Sequence, residues 1–442
     1  MGRSKGAAAR RRKAAATRKT NTLTIAEPRE DEEAPSPCRS LSPDLLASIH
    51  DRLGFLDRVA FAAVFASSCD DDDLFQPHAP WLVFPGNDPA ETVQLFSIAD
   101  RRGATVPAPA PALRGHVVVG SSRGWLATAD VRGQIYLINP ATGEQRELPH
   151  LSTMGVFLPS TGYSHFSLIN DDYLTIRYGH GPPFTEHWQR PHARTCSYAA
   201  HQMRMWFYRK VVLSSSPARP GNYAAMLITE WRNRALAFAT AEDPVWRLAP
   251  SRDGVEDAIH HDGRFYSVSY TGVVEAWQRD AESGAYTSTA VAPRLAVEEH
   301  KEEDREPPCR KYLATAPGGR LMVVIKYTKE PKDRISRDEW SCSFKVHVLG
   351  DDGQWKETSD IGDLALFVGV NTSLCVPTRG RPQIKAGCIY YTDDKLGLAE
   401  LGIYACDLRA VGVYSLKDGT LNKIEAAPRF YRPPAWITPS IP

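Results

Sequence analysis

The chain has no run of 18 apolar residues, so a membrane-spanning helix is not expected. The opening stretch MGRSKGAAARRRKAAATRKT has no apolar core, which argues against a secretory signal. Gly6 stands where a myristoylation pattern needs Ser or Thr. None of the eight cysteines, at 38, 69, 196, 309, 342, 375, 388 and 406, forms a CxxC pair. That spacing excludes a zinc ribbon or a thioredoxin-type site. The thiols are expected to be reduced, several of them buried in strands, as in a cytosolic or nuclear protein. There is no GxxxxGK[ST], HExxH, EF-hand loop or Rossmann fingerprint, so no cofactor and no metal is expected. An excess of one charge is also missing. Lys and Arg number 53 and Asp and Glu 52, a net charge of +1, which argues against a chain that is basic overall.

What is present is an ordinary globular composition, 42% hydrophobic and 24% charged over 442 residues, enough for two or three domains. The most informative stretch is Val117 to Pro149, VVVGSSRGWLATADVRGQIYLINPATGEQRELP. Apolar residues alternate with a period of two from Val117 to Val119, Trp125 to Ala129 and Ile135 to Ile138. Arg132-Gly133 separates two of these runs. Asn139-Pro140-Ala141-Thr142-Gly143 follows with Asn at the first turn position, Pro fixing φ and Gly at the left-handed exit. This is a meander suited to one propeller blade. A lone blade cannot bury both faces, so the pattern should recur.

It recurs. Phe166–Ile169, Leu174–Tyr178, Met205–Leu213 and Ala224–Ile228 read as short strands. Hairpin turns are expected at Asp262-Gly263, Thr271-Gly272, Pro317-Gly318-Gly319, Asp352-Gly353 and Asp418-Gly419. The charged stretches Glu298–Glu306 and Lys329–Asp338 read as long loops. At a kelch-like spacing of about 50 residues per blade, residues 80–440 predict a mainly β, kelch-like β-propeller of about seven degenerate blades. Pairing of Trp81–Phe84 with the C-terminal region would close the ring.

Residues 1–39 form a basic and then acidic tail without apolar periodicity, expected to be disordered. Arg10, Arg11, Arg12 and Lys13 are a candidate nuclear localisation signal or weak nucleic-acid arm. An organelle transit peptide is another reading, since the first 26 residues are rich in Arg and free of acid. Residues 40–75 change character. Ser42 can cap a helix that Pro43 begins; Leu45, Leu46, Ile49 and Leu53 form its stripe, and Gly54 ends it. Asp57 opens a second helix, apolar nearly all round. This unit is too short for a core of its own and must dock on the next domain or on another protein.

The run Leu41 to Leu53, followed by Asp57-Arg58-Val59, resembles an F-box, the motif that binds the Skp-type linker subunit of a cullin ubiquitin ligase. The resemblance implies Leu41, Pro43, Leu45, Leu46, Ile49, Leu53 and Val59 as docking residues. Ser42 intervenes where the family has adjacent Leu-Pro, and Phe65-Ala66-Ser67-Ser68-Cys69 replaces its later Cys-x-x-Trp-Arg portion. A second resemblance spans residues 80–440. Gly120-Ser121-Ser122-Arg123-Gly124-Trp125-Leu126, Asp262-Gly263-Arg264-Phe265-Tyr266, Cys388-Ile389-Tyr390-Tyr391-Thr392 and Pro434-Ala435-Trp436-Ile437 are similar to plant F-box proteins with a KIB-type β-propeller. That resemblance implies a non-catalytic substrate-recognition subunit of a Skp–cullin–F-box ubiquitin ligase. Its partners would be the Skp-type linker, the cullin and an unidentified target protein, in the nucleus, the cytoplasm or both. The alternative is a propeller interaction module with a degenerate F-box and no ligase role, nuclear or organellar.

Three motifs need weighing against this. Gly120-Ser121-Ser122-Arg123-Gly124 satisfies the G-x-S-x-G of a hydrolase elbow, but the residues after it read as strand where an elbow needs a helix. His180, His187, His192, Cys196 and His201 have zinc-ligand chemistry without a zinc-site spacing. Between Trp188 and Lys210, Arg190, Arg194, Arg204 and Arg209 interleave with Tyr198, Trp206, Phe207 and Tyr208. Such interleaving can hold single-stranded nucleic acid. The alternation over 205–213 instead places about half of those aromatics in a core.

Overall fold

Alternating apolar runs separated by Gly-centred turns produce a ring of antiparallel sheets. The computed structural model describes residues 41–65, 79–84, 91–154, 156–160, 164–170, 174–180, 194–199, 207–218, 221–230, 236–251, 253–297, 309–329, 341–392, 411–422, 424 and 434–439. Blade I consists of Trp81–Phe84, Thr92–Ser97 and Arg102–Pro107, completed by Ala435–Ile437 from the far end of the chain. Blade II is Val117–Ser122, Trp125–Ala129, Ile135–Ile138 and Gln145–Glu147. Blade III is Tyr208–Leu213, Ala224–Thr229, Leu236–Thr240 and Arg247–Ala249. Blade IV runs from Val255–His261 through Arg264–Ser269 and Val274–Arg279 to Tyr286–Ala290. Blade V holds Cys309–Thr315, Leu321–Lys329, Ser341–Leu349 and Trp355–Thr358. Blade VI has five strands, with Leu374–Pro377 at its edge, then Leu364–Val368, Cys388–Thr392, Val411–Ser415 and Leu421–Asn422.

Each boundary between blades has its own buried apolar cluster. Val83, Leu95, Val118 and Leu126 join blades I and II. Trp125, Leu137, Val211 and Trp246 join II and III. Met226, Phe238, Phe265 and Trp277 join III and IV, where Phe238 stacks on Tyr286 with ring centroids 3.7 Å apart. Ile259, Val268, Leu313 and Val323 join IV and V. Phe344, Val324, Leu366 and Tyr391 join V and VI, and Phe84, Phe96, Phe367 and Trp436 join VI back to I. Six blades and six boundaries close the ring. The closing pairs are Trp81 with Ile437, Leu82 with Trp436 and Val83 with Ala435, as the sequence pattern predicts.

Among the described residues the ring has six blades, where the spacing predicts about seven. Residues 156–199 do form a sheet, but not an antiparallel meander. Its strand Leu174–His180 pairs parallel with Val156–Ser160 and antiparallel with Ser164–Asn170, which also holds Arg194–Ala199. Blade II meets blade III directly, so this sheet does not lie between them. A β-carbon at Gly120 would lie 2.4 Å from the carbonyl oxygen of Val211, and only glycine permits that approach. The insertion matches a blade in length and alternation, and length alone counts it as one.

Helices α1, Pro43–Arg52, and α2, Phe55–Phe65, precede the ring. Pro43 occupies the first turn of α1 as expected, although Ser42 makes no side-chain capping bond. The pair is tied to blade I. Arg58 donates from Nε to the His50 carbonyl at 3.1 Å and from Nη1 to Asp100 Oδ1 at 2.9 Å. Leu56 packs on the cluster between blades I and II. No helix among the described residues is long and apolar enough to cross a membrane.

Candidate functional site

The inner strands of blades II to V run in one direction about the axis, and their ends make a wide mouth. Ser121 and Ser122 end the strand of blade II, Leu213 that of blade III, Ile259 to His261 that of blade IV and Thr315 that of blade V. Trp436 and Thr438 of blade I and Thr372 to Cys375 of blade VI complete the wall of a cavity of about 900 Å³. All six blades contribute to it.

The floor is a buried layer of ions. The doublets Arg209-Lys210, Glu256-Asp257 and Arg310-Lys311 fall on three successive inner strands and alternate in sign. Lys210 pairs with Asp257, and its Nζ donates to the Asn371 carbonyl at 2.8 Å. Lys311 Nζ donates to Glu256 Oε2 and to the Tyr270 carbonyl, both at 3.0 Å. The Leu313 N–H donates to Asp257 Oδ2 at 2.8 Å. Burial pushes the Asp257 carboxyl up, against the pull of Lys210 and of that N–H. Burial draws Lys311 down, but the Glu256 carboxylate, assisted by Cys309, outweighs it and leaves the ammonium above its usual value. Asn371, whose amide donates to the Phe367 and Thr372 carbonyls, is buried within this floor.

The rim carries Arg123. It sits in the two-residue turn between Val117–Ser122 and Trp125–Ala129, with φ of +54° at Arg123 and +80° at Gly124. Such turns ordinarily take Asn, Asp or Gly at the first position, as Asp262 does with φ of +46° in blade IV. A long side chain in the left-handed region is uncommon and strained. Arg123 is exposed, and its Nη2 donates to the His260 carbonyl of blade IV at 3.3 Å. Burial first, and the Arg123 charge second, lower His260 to about 4, so its ring is neutral at pH 7.

The hydrolase geometry is not built at Ser122. Its hydroxyl bonds the Leu213 backbone at 3.4 Å, and the chain continues as strand. Burial raises the Cys375 thiol to about 11, which makes it a poor nucleophile. His180 and Cys196 are set apart, since they pair with Ser164 and Leu168 across the shared strand, about 13 Å apart at the strand rise. His187, His192 and His201 lie outside the described residues. Phe207, Tyr208, Arg209 and Lys210 are all buried beside the axis and form no surface.

The F-box-like positions divide. Leu45 is 46% exposed, and Val64, on α2 but outside the implied docking set, is 65% exposed. Leu41, Ile49 and Leu53 are half-buried, while Leu46 is turned inward. Pro43 and Val59 lie on the helices, but their side chains, like residues Arg10 to Lys13, are outside the described residues.

The family model of the KIB1-4 β-propeller matches residues 95–415. The chain belongs to the KIB1-4 β-propeller family. Its match begins in blade I and ends in blade VI. A protein of Arabidopsis thaliana named "Putative F-box protein" is 28% identical over 116 residues, 24% of this chain and 31% of that protein. The chain thus spans about a third of the length of this curated relative. Among solved structures, a protein from Lactobacillus plantarum aligns with 81% of this chain and 98% of its own, at 9% identity and a TM-score of 0.37. The β-propeller domain of Myceliophteria thermophila Cps50 aligns with 71% of this chain and 88% of its own, at 9% identity and a TM-score of 0.30.

The hairpins of the blades are legible in the sequence, and the site is not. Arg123 stands in the sequence within a hydrolase-like motif and within the Gly120–Leu126 stretch, and neither marks it as a rim residue. The signal for the floor is a doublet of charge inside three otherwise apolar strands, at 209–210, 256–257 and 310–311.

Proposed function

We propose that this chain is a substrate-recognition adaptor of a Skp–cullin–F-box ubiquitin ligase, with α1 and α2 docking on the Skp-type linker and the propeller holding a target protein. The observation that carries this reading is the exposure of Leu45 and Val64 on a helical pair that Arg58 and Leu56 anchor to blade I. Apolar surface on an anchored helical pair suits a partner of complementary shape. The similarity to an F-box protein supports the same reading. The chain then does no chemistry. It raises the concentration of its target near the ubiquitin-charged enzyme. Import through Arg10 to Lys13 would place it in the nucleus as well as the cytoplasm.

The test is affinity purification of the full chain with and without Leu45→Asp. Leu45 is exposed, so the variant keeps the fold, and a charge at the contact is expected to remove Skp and cullin from the eluate. Recovery of neither subunit with either protein would favour an interaction module without a ligase role; equal recovery with both would show that the linker docks elsewhere than at Leu45.

A further inference from the structure

We propose that the mouth of the central channel is a binding site for a phosphate monoester, anchored by Arg123. Four features of the wall point to this chemistry. Serine or threonine residues line the cavity on five of the six blades, and the sixth, blade IV, supplies His260 and His261. Among the described residues the wall carries no carboxylate. The acids nearest the axis, Glu256 and Asp257, are fully buried and already paired to Lys311 and Lys210 beneath it. The charge that faces the cavity is therefore that of Arg123. A sugar or an amine would call for acceptor carboxylates here; a wall of hydroxyl donors with a guanidinium suits a tetrahedral oxyanion.

The placement of Arg123 adds to the argument. The turn tolerates Asn or Asp without strain, yet it holds a residue that reaches over the mouth from blade II to blade IV. Strain of this kind persists where the surrounding structure holds it, and such residues cluster at ligand sites. Beside Ser121, whose carbonyl accepts the Thr372 N–H, the Ser373 and Thr372 hydroxyls are buried without a hydrogen-bond partner among the described residues. Both border the cavity and are available to donate when their rotors turn. The phosphate can come on a phosphorylated side chain of a protein or on a small metabolite, and the two share this recognition. The inference does not depend on what α1 and α2 bind.

Arg123→Asn tests it without risk to the fold, because Asn-Gly is the preferred sequence for this turn. The probes are O-phosphothreonine, glucose 6-phosphate and a degenerate phosphothreonine peptide library with its unphosphorylated twin, each titrated calorimetrically against the full chain. Saturable binding by at least one phosphorylated probe is expected, weakened about tenfold or more in Arg123→Asn and unchanged in Arg132→Asn, a turn residue outside the cavity. Tighter binding of the peptides than of the free phosphates assigns the site to a protein ligand; the reverse assigns it to a metabolite. Absence of binding by every phosphorylated probe, equal binding of the unphosphorylated library, or indifference to Arg123→Asn would overturn the proposal.

Discussion

Lys210 and Asp257 meet in the interior with no exposed surface to speak of, and the consequence is measurable. Removing one partner strands the other charge, at a cost of about 3–5 kcal/mol. Replacing both with apolar residues of similar volume removes that penalty. Urea unfolding should therefore show Lys210→Met strongly destabilised, and the double variant Lys210→Met with Asp257→Leu well short of the summed losses. His260 makes the complementary prediction in pH. The unfolded imidazole protonates near 6.5 and the folded one near 4. The unfolded state thus binds more protons across that window, and stability falls as pH drops through it. A titration of the His260 ring resonances should give a midpoint near 4, and His260→Gln should flatten the fall in stability between pH 6.5 and 4. Neither effect was legible in the sequence. A Lys in an alternating strand reads as solvent-facing; only the ring places it opposite Asp257, 47 positions away (257 − 210).

At the level of elements, the turns explain why the hairpins were readable and the blade count was not. Asp262-Gly263 and Asp418-Gly419 encode their conformation within two residues, so local sequence suffices. The boundary between blades II and III is encoded by a contact between Gly120 and Val211, with the whole 156–199 insertion separating them along the chain. Alternation there mimics a blade, and no local signal marks it as an insertion. Gly120→Ala should destabilise the protein by about 1–3 kcal/mol, because its new carbon meets a backbone oxygen that cannot rotate away. The closing strand was readable for a different reason. A short apolar run at each end, Trp81–Phe84 and Ala435–Ile437, leaves two open edges that the ring must satisfy. Trp436→Ala should cost about 3–5 kcal/mol in thermal or denaturant unfolding, since its ring fills the cluster between blades VI and I, edge-on to Phe367.

For the whole molecule, the ring and the helical pair divide the work. Six apolar boundaries make the propeller rigid and leave the loops and the mouth free to vary. The helices are held to blade I through Arg58 and Leu56 while Leu45 and Val64 stay outside. A platform of this kind fixes the distance between whatever the helices hold and whatever the mouth holds. The most direct test is amide hydrogen exchange on the full chain with and without a purified Skp-type linker. Docking through the helices predicts new protection within α1 and α2, lost in Leu45→Asp, with the inner strands of the blades unchanged. Protection that falls on the blades instead, or none anywhere at saturating linker, would contradict it.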